Sequence, residues 1–236
     1  MAKAALTAEN EALKRNLLGQ RLGRKGRGTR ERILAATQTL LAGPPDAPIS
    51  LSAVAREASL GMTTLYLYFA DLPELLLAVL EPISASAEEA YFAQLREPWP
   101  DERLGECCAT FVEAYYNFWM RHSRILHLRN TYAENHEERM RNHRNLAARR
   151  IIMLFVQQME AESEPRFSRA WGLATALISG IEHMLFVATD VNFPSMLEEK
   201  DNPGPHVRNL LWAEARLLEL GVRDGRTASR AAKTQG

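Results

Sequence analysis

The sequence predicts an all-α protein, and three observations carry that expectation. Leucine occurs 32 times against 8 valines and 8 isoleucines, which favours straight-chain helix formers over β-branched strand formers. Apolar residues recur at three- and four-residue spacing through most of the chain. Capping residues, Pro and Gly punctuate those runs at helical lengths. A chain of 236 residues with 46% hydrophobic and 25% charged residues is an ordinary globular one, which excludes disordered and fibrous classes. Cys107 and Cys108 are adjacent, so a bridge between them is badly strained and a reducing compartment follows. No apolar signal core precedes the first charges. The most apolar stretch, 171–189, contains Glu182 and His183 and reads as a core helix rather than a membrane span. The expectation is a cytoplasmic protein with no membrane partner.

The elements follow in order. Residues 1–28 form a basic arm, in which Leu6, Leu13 and Leu17 mark a short amphipathic helix. The glycines of Gly23-Arg24-Lys25-Gly26-Arg27-Gly28 make the rest of it a flexible ribbon. The total charge is zero, yet residues 1–32 hold nine basic and three acidic side chains, so a basic end is joined to an acidic body. Such an arm suits a polyanion. Thr29 caps a helix carrying Ile33, Leu34, Thr37, Leu40 and Leu41, which Gly43-Pro44-Pro45 ends. Ser50 caps a short helix with Val54, Ala55 and Ala58. Ser59-Leu60-Gly61 is a tight turn, and a third helix runs from Met62 to Phe69. Asp71 and Glu74 form a capping box for a fourth, which continues through Leu80 and Ile83 toward Tyr91. Residues 29–80 thus make one domain and 81–221 a larger helical one. In the latter, Asp101 caps a helix to about His122 and Ser123 caps a shorter one. A long helix spans Glu137 to Glu160, and Pro165 opens the next. Asn192 to Pro205 is a loop, and His206 to Leu220 is the last helix, stopped by Gly221. Residues 222–236 are a polar tail.

Two short helices around a three-residue turn, the second rich in Thr and Tyr, make a helix-turn-helix. Ala55 and Ala58 let the helices cross closely, Leu60 plugs the turn, and Leu65 and Phe69 point into a three-helix core. Met62, Thr63, Thr64, Tyr66, Leu67 and Tyr68 then share the outer face, where recognition-helix residues meet base edges and phosphates. Thr hydroxyls and methyls suit bases, and Tyr hydroxyls suit phosphates. Ser50, Thr29 and the basic Arg24, Lys25 and Arg27 complete the candidate DNA contacts. The run from Ser50 to Leu76 resembles the DNA-binding segment of TetR-type transcriptional regulators. The shared residues are Ala55, Glu57, Ala58, Thr64-Leu65-Tyr66, Tyr68-Phe69 and Glu74-Leu75. The resemblance implies an N-terminal DNA-binding head followed by a helical body that binds a small molecule and dimerises. Ser59 stands where that family often has Gly, Gly61 where it often has Ser, and Leu72 where Lys is frequent. A basic residue is also common near Met62, so the arm is expected to replace two missing cationic contacts.

No family motif is visible in the body. Phe111, Tyr115, Trp119, Leu126, Met153 and Trp171 are the candidate ligand-cavity residues, since aromatics and Met line apolar pockets. His122, His127, His136 and His143 lie near Glu134, Glu137 and Glu138, but their spacings match no metal signature, so neither a metal nor a cofactor is expected. Ala174, Ile178, Ile181 and Leu185 form one apolar stripe, and Leu210, Leu211 and Leu217 a second. Ala176 and Gly180 permit close helix approach. The resemblance implies that these helices dimerise, so that two heads read a near-palindromic operator with half-sites about 34–36 Å or a multiple apart. The function expected is a repressor released by a small, mostly apolar effector. A ligand-independent regulator or an activator is the alternative. A helical-bundle enzyme is the remote one, because no Glu-x-x-His repeat, Gly-rich phosphate loop or nucleophile signature occurs.

Overall fold

The computed structural model describes residues 23–44, 46–160, 168–193 and 204–234, and these are helical with no strand among them. The chain divides into two compact units between Pro82 and Ile83. The first unit holds α1 (Arg24–Ala42), α2 (Leu51–Glu57), α3 (Met62–Leu65) and most of α4 (Leu72–Ala87). Ile33, Ala36, Val54, Ala55, Ala58, Leu65, Phe69 and Leu75 form its buried core. Their spacing on each helix is the apolar periodicity read from the sequence.

The second unit is a bundle of α5 (Leu104–Glu134), α6 (Glu138–Gln158), α7 (Arg169–Ala188) and α8 (Gly204–Thr234). Between α4 and α5 the chain passes through a π-helical turn, Glu88–Phe92, and two 3₁₀ turns, Ala93–Leu95 and Asp101–Arg103. The π turn carries the expected continuation of α4, and it sends Tyr91 and Phe92 inward. Trp99 packs between α5 and α6, its ring centre 6.4 Å from that of Phe111 and 5.7 Å from that of Phe155. Its backbone N–H donates to Gln158 Oε1 at 2.9 Å, and its indole N–H to the Gln94 carbonyl at 2.8 Å.

Several element boundaries differ from expectation. The glycine-rich ribbon is not an irregular arm from Gly23 onward, because α1 begins at Arg24. Thr29 is therefore inside the helix, and its hydroxyl donates back to the Lys25 carbonyl at 3.1 Å instead of capping. Once residues 30–42 are anchored, adding a turn costs far less than nucleating one, and that outweighs the glycines' poor propensity. The rest of the arm, with Leu6, Leu13, Leu17 and Arg21, lies outside the described residues. α3 ends at Leu65, and turns carry the chain on to Phe69.

Asp101 does not cap α5. Its carboxylate is taken by Arg226 at 2.5 Å and Arg230 at 3.0 Å. The break expected at Ser123 is a kink at His122 (φ −119°, ψ 18°) inside one helix that runs on to Glu134. Ser168 caps α7 through its Oγ, which accepts from the Trp171 N–H at 3.1 Å. The expected start at Pro165 lies outside the described residues.

The largest difference is α8, which passes straight through Gly221 to Thr234, so 222–234 is helix and not a tail. Gly221 is there for close approach. A Cβ on it would meet Leu177 Cδ1 at 2.5 Å, and one on Gly225 would meet Met159 at 2.6 Å.

Candidate nucleic-acid interface and body cavity

The turn of the helix-turn-helix is built from named contacts. Ser50 Oγ accepts the Ala53 N–H at 3.2 Å, which starts α2. Ser59 adopts φ 52°, the left-handed conformation anticipated at a position where glycine is commoner. The Leu60 N–H then donates to the Ala55 carbonyl at 2.8 Å and closes the turn. Gly61 begins α3 without a side-chain cap. On the far side, the Asp71–Glu74 capping box is present. The Glu74 N–H donates to Asp71 Oδ1 at 2.8 Å, and Glu74 Oε2 accepts the Ala70 N–H at 2.6 Å.

This frame presents Thr63, Tyr66 and Leu67 on an exposed face, with Thr64 half-buried beside them. Met62 and Tyr68 pack part of their surface against the head core. Arg24, Lys25 and Arg27 are exposed along the first turns of α1. Ser50 already uses its hydroxyl in the cap and in a 3.0 Å contact with Ser52.

The body contains a cavity of about 240 Å³. Its apolar wall is Ile83, Ala87, Tyr91, Phe92, Phe118, Leu126, Leu146 and Ala147, and its polar wall is Ser84, Arg129, His143 and Arg150. The six residues expected here do not gather. Leu126 lines the cavity. Phe111 and Tyr115 are buried in an aromatic cluster with Tyr91 and Trp99, and Trp119 is buried against His127 and Arg129, so none of the three is on the cavity wall. Met153 faces outward at 47% exposure, and Trp171 sits half-buried in the first turn of α7. Apolar periodicity identifies what is inside a bundle and not which inside residues border a void.

The polar side of the cavity escaped sequence reading, although one signal was available. Arg129 falls on the buried stripe of Ile125, Leu126 and Ala133, where a charge is rarely placed. Its guanidinium donates from Nε and Nη2 to Asn130 Oδ1 at 3.1 and 3.0 Å, and it lies 5.8 Å from the centre of the Trp119 ring. Burial lowers its pKa, against weaker support from Tyr115 and Glu182. His143 Nε2 lies 3.0 Å from Ser84 Oγ, and burial, helped by Arg129, pushes its pKa down to about 4. Arg150 stacks 4.0 Å over the Phe92 ring and pairs with Glu88. Glu182, the acid within the apolar α7, accepts the Tyr115 hydroxyl at 2.9 Å, and burial raises its carboxyl.

The histidines do not converge. His127 contacts Thr189 at 3.0 Å and stacks on Phe186, His122 lies at the α5 kink, and His136 occupies a left-handed turn. Among the described residues no cluster of His, Cys, Asp or Glu could hold a metal ion. Both cysteines are free thiols, and burial raises that of Cys108 to about 12.

The first expected dimer stripe is spent within the protomer. Ala174, Ile178, Ile181 and Leu185 are all buried in the body core. α7 packs its bulkier stripe against α5, α6 and α8, where burial of large side chains is worth most. Its outward side is the small-residue seam of Gly172, Ala176 and Gly180. On α8, Leu210 and Leu211 are half-buried, while Leu217 is exposed together with Trp212 and Leu220.

No protein-family profile and no curated protein matches the chain. Solved structures do match it. A TetR-family transcriptional regulator from Streptomyces coelicolor superposes with a TM-score of 0.56 at 16% identity, over 88% of this chain and 91% of that one. A TetR-like transcriptional regulator from Rhodococcus sp. RHA1 superposes with a TM-score of 0.51 at 19% identity, over 87% and 98%. At this identity the likeness is one of fold, and it spans both units. The likeness is therefore not confined to residues 50–76, and over nearly nine-tenths of its length the chain has the all-α fold of TetR-type transcriptional regulators.

Proposed function

We propose that the chain is a cytoplasmic DNA-binding transcriptional regulator and not an enzyme, acting as a homodimer on a near-palindromic operator. The observation that carries this reading is the exposed face of Thr63, Tyr66 and Leu67, held on a complete helix-turn-helix frame over its own core. Side chains on such a frame reach base edges in the major groove. Arg24, Lys25 and Arg27 add phosphate contacts and replace the cations absent at Met62 and Leu72. The dimer seam is the outward side of α7 and α8, with Trp212, Leu217 and Leu220 exposed on α8 and Gly172, Ala176 and Gly180 exposed on α7.

The body cavity takes a small effector that releases the operator, and the protein acts as a repressor. α4 supplies Leu75 to the head core and Ile83, Ser84 and Ala87 to the cavity wall. A ligand that prefers one position of that helix shifts the population of DNA-competent dimers.

The test is selection of genomic fragments by purified protein at about 150 mM salt, where sequence-blind binding is weak. Recovery of a palindrome is expected, and recovery without sequence preference refutes the reading. Thr64→Ala is expected to weaken operator binding by about 1–3 kcal/mol, as loss of a base contact does, with little change on random DNA. Equal affinity of both proteins for the operator removes Thr64 from base recognition.

A further inference from the structure

We propose that the body cavity is built for a small molecule with a single negative charge, a carboxylate, on an otherwise apolar body, with Arg129 as its anchor. This rests on the reading of the cavity as the effector site and gives that effector a chemistry.

Arg129 is 6% exposed and lines the cavity. A guanidinium is always charged, and a buried charge is costly unless paired. Its two hydrogen bonds both go to one neutral oxygen, Asn130 Oδ1. Among the described residues no carboxylate comes within 4.0 Å of it. Glu182 acts on it only from farther away, and that carboxyl is engaged by the Tyr115 hydroxyl. Arg150, the other cation of the wall, has a carboxylate partner in Glu88, which it shares with Arg96.

On the same wall, His143 Nε2 meets Ser84 Oγ at 3.0 Å. The guanidinium fork of Arg129 suits a planar carboxylate. The remaining wall, with Tyr91, Phe92, Phe118 and Leu126, is apolar. Arg129 is the wall cation with no carboxylate partner, and set against that apolar wall it selects one charge on an apolar body.

The experiment is calorimetric titration of the full chain with 2-naphthoate and with 2-naphthamide, its neutral counterpart of the same shape. The wild-type protein is expected to prefer naphthoate by about ten-fold or more, the scale of one charge-assisted bond. Arg129→Met is expected to bind both probes alike, and Arg129→Gln serves the same comparison if Arg129→Met does not fold. Equal binding of the two probes by wild type, a preference that survives loss of Arg129, or binding of neither probe overturns the proposal. Operator release is read in parallel. If the uncharged probe binds equally well, is blocked by Leu126→Trp and releases DNA, the charge assignment fails while the effector reading stands. If naphthoate binds through Arg129 and DNA is retained, the anion site stands and the effector reading fails.

Discussion

At the scale of single residues, Ser59 carries a cost that its neighbours impose. The turn needs φ 52° there, and a side chain in that conformation is about 1–2 kcal/mol worse than glycine. Ser59→Gly is therefore expected to stabilise the first unit by up to about 1 kcal/mol, after the extra chain entropy glycine loses on folding. Urea unfolding followed by circular dichroism measures it, and an unchanged midpoint argues against strain at the turn. His143 has a different signature. Its pKa falls from 6.5 in the unfolded chain to about 4 in the fold, by burial and by Arg129, with Ser84 and Arg150 also on the cavity wall. The folded ring stays neutral where the unfolded ring takes up a proton. Stability from this group is thus complete above about pH 6.5 and is lost as pH falls toward 4. His143→Gln is expected to flatten unfolding free energy over that window, and an unaltered slope assigns the loss to other groups. Both residues show what a sequence discloses. Ser59 was legible because it stands where the family that the segment resembles often has Gly, the residue that best suits a positive φ. Arg129 and His143 were not, because burial of a polar group depends on partners from other helices.

At the scale of elements, α2 and α4 were legible from the caps Ser50 and Asp71 and from spacing, whereas the body helices were legible from spacing and the caps read at Asp101 and Ser123 did not hold. The ends misled where a local signal had another cause. Gly221 and Gly225 sit where helices nearly touch, so a residue that commonly ends a helix here lets one continue. The final turns of α8 are also functional packing. Arg226 donates to the carbonyls of Gln158 at 2.7 Å and Trp99 at 2.8 Å and pairs with Asp101, while Arg230 joins Asp101 to Glu160. Gln158 adds donors to the Leu95 and Glu97 carbonyls at 2.9 and 2.8 Å. Deletion of residues 222–236 removes the Arg226 donors to the Gln158 and Trp99 carbonyls. It is expected to lower the melting temperature of the body by several degrees, given about 1–3 kcal/mol for each buried polar group left without a partner. Arg226→Ala alone is expected to produce a large part of that loss. A truncated chain that melts with the full-length one shows that the end of α8 holds nothing in place.

At the scale of the molecule, the charge asymmetry read from the sequence and the apolar outward side of α8 fit the two partners proposed for it, DNA and a second copy of itself. The stripe with the strongest apolar pattern proved to be the protomer's own core, and the proposed seam is the weaker one beside it. Periodicity ranks faces by burial but does not say which molecule buries them. Leu217→Asp together with Leu220→Asp is expected to yield a folded monomer, because both residues are exposed at 55% and 50% in the protomer. Sedimentation checks the mass, and a variant that still sediments as wild type places the seam elsewhere. Trp212 gives the same question an optical form. Of the four tryptophans, Trp99 and Trp119 are sealed at 6% and 2% exposure and Trp171 is half-covered, whereas Trp212 stands 71% open beside that seam. Its indole therefore samples water in a lone protomer and an apolar wall in a pair. Simple dilution in a cuvette, followed by the red shift of ultraviolet emission, reports the assembly with no label attached.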